Sequence, residues 1–180
     1  FFHSLGQSLS FYNEQNELLP IAPSSKLKQP GFLLAYDYFT EEKSLSTDRD
    51  LQAIFTMASE ENPTSLMKMW LKGGNNRTYF SVNGPKAKAL SKESAPEELL
   101  KAKIPTLVVR NNKAAWSDPF VAIFNPYLEG NDQVISEVAF LKDTVNKSAQ
   151  ILRVTHDNQS TIDHIVATPS QNDFVSTEAL

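Results

Sequence analysis

The chain has 180 residues, 41% hydrophobic and 21% charged, with a net charge of −4 and no cysteine. That is enough for one domain with a real core and too ordinary a mixture for disorder. The acid excess argues against a general nucleic-acid binder, the lack of cysteine excludes disulfides and thiol chemistry, and no run reaches the roughly 18 apolar residues of a membrane span.

The first residues are Phe1-Phe2-His3, without Met. An apolar pair is an odd start for a soluble protein, and the expectation is a cut through a larger one. Period-two patterns follow. Ser8–Tyr12 and the apolar run Phe32–Phe39 are the first candidate strands, joined by the proline-rich connection Leu19–Pro30. Leu51–Met57 puts Leu51, Ala53, Phe55 and Met57 on one face. Ser65–Leu71 sets Met67, Met69 and Leu71 against Leu66, Lys68 and Trp70. Gly73-Gly74-Asn75-Asn76 reads as a hairpin turn whose residues tolerate positive φ, leading into Thr78–Val82.

Lys86–Lys103 departs from this pattern. Ser94 as cap and the acids Glu97 and Glu98 predict a short helix or ordered loop over Pro96–Ala102. Strands resume at Thr106–Arg110 and at Pro119–Pro126, which alternates cleanly between two prolines. Val134–Leu141, Ala149–Thr155, Thr161–Ala167 and Phe174–Ser176 complete the set, with a tight turn at His156-Asp157-Asn158-Gln159. About ten or eleven strands so spaced predict an all-β fold: a two-layer antiparallel β-sandwich with one short helix or ordered loop. Residues 1–180 read as a single domain.

Catalytic signatures are sparse. His3 reads as a strand histidine. Asp163 and His164 are neighbours in a strand and point to opposite faces, so they do not form one site. No HExxH spacing, G-x-S-x-G elbow or G-K-S/T phosphate loop occurs. The loop acids Asp118, Glu129, Asp132 and Asp157 leave calcium open, without an EF-hand. Three glycosylation-type triplets, at Asn76, Asn146 and Asn158, matter only in a eukaryotic secretory route. No catalytic residue, resident metal or cofactor is assigned. Sugar rings stack on Trp, and acidic sugars offer a carboxylate to Arg or Lys. Trp116, in a polar loop with Arg110 and Lys113 nearby, is therefore the candidate carbohydrate platform. Its bland alternative is a Trp folded over the sandwich edge. Trp70, with Lys68 on its face, reads as core or sheet-surface packing.

"IPTLVVRNNKAAWSDPFVAIFNPY", Ile104 to Tyr127, resembles a segment near the end of heparinase II/III-like polysaccharide lyases. There a hydrophobic-hydrophobic-Arg strand leads through a polar loop to a Phe-Val-x-Val-x-x-Pro-Tyr strand. "FFHSLGQSL", Phe1 to Leu9, resembles their aromatic-aromatic-His-x-x-Gly strand. The resemblance implies the C-terminal sandwich of a lyase whose upstream α/α toroid cleaves acidic, uronic-acid polysaccharides by β-elimination. Catalytic Tyr, Asn and His come mainly from the toroid and early sandwich in that family, so none is carried over here. It also implies a periplasmic or secreted bacterial location. Two other functions stand beside this one: a free-standing carbohydrate-binding module, and a structural sandwich without ligand.

Overall fold

In a computed structural model, the residues described are 2–3, 6–28, 34–58, 64–85, 103–112, 120–131, 133–142 and 150–167. Twelve strands run through them: β1 (Phe2–His3), β2 (Ser8–Tyr12), β3 (Ala22–Pro23), β4 (Thr40–Ser46), β5 (Leu51–Met57), β6 (Ser65–Leu71), β7 (Arg77–Pro85), β8 (Lys103–Asn111), β9 (Ala122–Leu128), β10 (Ile135–Lys142), β11 (Gln150–His156) and β12 (Thr161–Ala167). All pairings are antiparallel. One sheet has the order β1-β8-β7-β4-β3, a second β2-β5-β6-β9, and a third β10-β11-β12. The fold is all-β and sandwich-like, as the alternation predicts.

The alternating residues explain the layers. Leu51, Ala53 and Phe55 of β5, and Met69 and Leu71 of β6, face Tyr79 of β7 and Leu107 of β8. This is the main core, and Ala53, Phe55 and Tyr79 within it have no exposed surface. A buried aromatic side chain of this kind contributes roughly 1.5–3 kcal/mol. The other face of the second sheet is covered too. Val121 and Ile123 pack against Leu152 and Val154 of β11 and Ile135, Val138 and Phe140 of β10. The second sheet is therefore the middle layer. The outer face of the first sheet carries a third cluster, in which Leu27, Tyr36 and Phe39 cap Phe80, Val82 and Val108.

Several expectations change. The run Phe32–Phe39 is not a strand where it is described: Leu34–Tyr38 forms a 3₁₀ turn. Tyr36 and Phe39 cover the first sheet rather than joining it, while Tyr38 is 55% exposed. β4 escaped the alternation rule because it is bulged. Glu41 has φ 56°, and the pairing with β7 slips between Thr40 and Lys43. The connection Leu19–Pro30 holds a short strand, Ala22–Pro23, on β4. Pro126 does not close its strand; it pairs with Met67 inside β9.

Gly73 is needed for a different reason from the one its sequence suggests. No positive φ occurs in Gly73 to Asn76. A Cβ on Gly73 would instead lie 2.3 Å from the carbonyl carbon of Arg49 and 2.4 Å from the oxygen of Asp48. The turn itself is closed by Arg77 N–H donating to Gly74 O at 3.0 Å. The turn at His156 holds as read, with Gln159 at φ 64° and His156 N–H donating to Ser160 O at 2.8 Å. The predicted helix Pro96–Ala102 and the strand Phe174–Ser176 lie outside the described residues.

Candidate functional site

Two polar clefts lie on different layers. The first, about 540 Å³, is on the outer face of the first sheet and includes Lys26, Lys28, Ser44, Ser46 and Arg110. β8 delivers Arg110 to this face. Its guanidinium donates to Lys26 O at 2.8 Å and to Leu27 O, and it lies over the rings of Phe80 (5.3 Å) and Tyr36 (5.6 Å). Arg110 thus anchors the covering segment. Leu27 N–H adds a bond to the Glu42 carboxylate at 2.9 Å. Lys28 pairs with Asp37 at 3.3 Å, with both side chains mostly in water, so the pair adds little stability. Lys26 makes no ion pair among the described residues and lines the cleft. Arg110 is the one sequence candidate described; Lys113 and Trp116 follow Asn112, another residue of this cleft, but lie outside the described residues.

The second cleft, about 530 Å³, opens between the middle sheet and β10. Its floor is Gln52 of β5 with Lys68 and Trp70 of β6. Register explains the cluster: Gln52 faces Trp70 directly, and Lys68 is two residues along on the same side. Trp70 is 4% exposed and Lys68 8%. The Lys68 ammonium sits 4.7 Å from the Trp70 ring centroid. Burial pushes the Lys68 amine below its usual value. Glu14, Asp50 and Glu137 also line it. Burial raises the Asp50 carboxyl, opposed by the Gly73 N–H that it accepts at 2.7 Å, while Glu14 raises it further. Lys68 and Trp70 are buried, as packing residues are. Core packing was a sound reading of their alternation, but nothing in it signalled a cleft above them.

His3 is in register with Thr106 on β8, and the Asp163 carboxylate is held by Arg153 of β11 at 2.7 and 2.9 Å. Among the described residues, no three His, Cys, Asp or Glu side chains group as metal ligands. No helix there is long and apolar enough to cross a membrane.

The architecture defines a class: an all-β sandwich with an added sheet and two polar clefts. No family model and no solved structure matches the chain. Over 140 residues it is 24% identical to an endo-acting ulvan lyase of Formosa agariphila, a match that takes in 74% of this chain and 16% of that enzyme. The chain is thus related to a polysaccharide lyase, and the shared stretch is a small part of it.

Proposed function

We propose that this chain is a non-catalytic β-sandwich domain of a heparinase II/III-like polysaccharide lyase. It supports an upstream α/α toroid that cleaves uronic-acid polysaccharides by β-elimination, and it borders the substrate cleft. The parent enzyme acts in the periplasm or outside the cell. The likeness to 16% of a lyase carries this reading. The adjacency of β1 and β8 supports it, because Phe2 and His3 pair with Leu107 and Thr106. The two segments that resemble the family thereby meet in one sheet.

The cationic cleft favours a second reading, a carbohydrate-binding module. Lys26 and Arg110, with Lys113 and Trp116 close by in sequence, offer charge and a ring to an acidic sugar. One series separates the two. The chain is incubated with heparin, hyaluronan or alginate and followed by the ultraviolet absorbance of unsaturated uronate. No rise is expected, and sustained turnover overturns the non-catalytic reading. Retardation in gels cast with the same polymers, lost in Trp116→Ala, favours the binding module.

A further inference from the structure

The cleft between the middle sheet and β10 holds features that packing does not explain. Gln52 is 6% exposed, yet its side-chain oxygen has no hydrogen-bond partner. A buried oxygen in that state is unfavourable unless a donor reaches it. Lys68 beside it is buried without a carboxylate partner among the described residues and rests only on Trp70. Both line an open space of about 530 Å³, within the roughly 300–1,000 Å³ of small-molecule sites. The loop over this space is well built. Asn13 Oδ1 accepts from Gln15 N at 3.0 Å and Glu17 N at 2.8 Å, and Asn16 takes φ 61°.

The ligand chemistry follows from the walls. Gln52 needs a donor, and Lys68 needs an acceptor. Glu14, Asp50 and Glu137 in the lining accept hydrogen bonds and repel anions. Lys68 on the floor repels cations. An apolar guest would leave the Gln52 oxygen unpaired. A group that is both donor and acceptor, uncharged and repeated around a small ring meets every condition. We infer that the cleft between the middle and third sheets is a binding site for a neutral, hydroxyl-rich sugar unit, with Gln52 accepting from one hydroxyl and Lys68 donating to another. From the proposed function the inference takes only that the ligand is a saccharide. The site is separate from the cationic cleft, and its ligand is neutral where the proposed parent substrate is acidic.

The test uses the whole chain carrying Trp116→Phe, which leaves Trp70 as the single indole. Cellobiose, xylobiose and maltose are titrated by calorimetry and by Trp70 emission, beside an alginate disaccharide. At least one neutral sugar should bind saturably and change the emission, and the acidic one should bind more weakly. Gln52→Leu should weaken binding about tenfold or more while the melting temperature holds or rises, because a buried unpaired oxygen is gone. Lys68→Met should weaken it similarly. The site is overturned if none of the three sugars binds, if Gln52→Leu binds them unchanged, or if the alginate disaccharide changes the Trp70 emission at lower concentration than they do. Such a failure leaves the lyase-domain reading standing. Turnover of alginate by the chain would sink that reading and leave this site untouched.

Discussion

At the scale of single residues, burial and charge oppose each other at Asp50. Its carboxylate receives the Gly73 N–H at 2.7 Å, yet desolvation raises its proton affinity above the ordinary 3.8. A raised carboxyl holds its proton more tightly in the folded state. Its contribution to stability is then present below 3.8 and is lost as pH rises through the folded value. Asp50→Asn keeps an oxygen for Gly73 and removes the charge. The variant should melt no lower than the parent at neutral pH, and its advantage should shrink as pH falls through the raised folded value and be gone below 3.8. A large loss at neutral pH would mean that attraction to Lys72 and Arg77 outweighs desolvation. Gly73 shows how the sequence can point to the right residue for the wrong reason. The Gly-Gly-Asn-Asn run announced a turn, but the backbone of Asp48 and Arg49 is what excludes a side chain there. That approach is made by residues more than twenty positions away, so no local rule could reveal it.

At the scale of elements, strands with strict alternation were legible to the residue. β2, β5, β6 and β12 begin and end where the sequence places them. β4 was not legible, because Glu41, Glu42 and Lys43 carry no apolar partners and a bulge breaks the period. The run Phe32–Phe39 misled because, where it is described, Tyr36 and Phe39 pack against the first sheet without belonging to one. The site was still less legible: of its three sequence candidates only Arg110 is described, and it is bound to the covering segment. β9 carries its own lesson. Lys72 N–H donates to Val121 O, and Glu129 N–H donates to Thr64 O. The odd residues of β9 therefore bond to β6, and the ring nitrogen of Pro126 faces the open side. Among the described residues β9 is an edge strand, and a proline there removes a donor that another strand could use. Pro126→Thr should raise self-association in sedimentation velocity with little change in melting temperature. Unchanged sedimentation at high concentration would show that Pro126 does not guard the edge.

At the scale of the molecule, the middle sheet is the organising layer, since it is packed on both faces. Phe55 and Met69 look toward the first sheet, and Val121 and Ile123 support the third. Alternation reports that both faces of such a strand are apolar, but it cannot say what covers the second one. The third sheet brings Leu152 (2% exposed) and Val154 (5%) into that contact, and β10 makes one wall of the cleft over Trp70. If this contact is part of one cooperative unit, damage to it must be felt throughout. Leu152→Ala removes a buried side chain from the cluster and should cost about 2–5 kcal/mol. In a Trp116→Phe background, Trp70 emission reports the contact between the middle and third sheets, while far-ultraviolet circular dichroism reports all strands. Both signals should move to lower denaturant by the same amount and stay superimposed. Should the emission change come first while dichroism holds, the third sheet detaches as a separate unit. The cleft would then be a joint that opens without unfolding the sandwich beneath it.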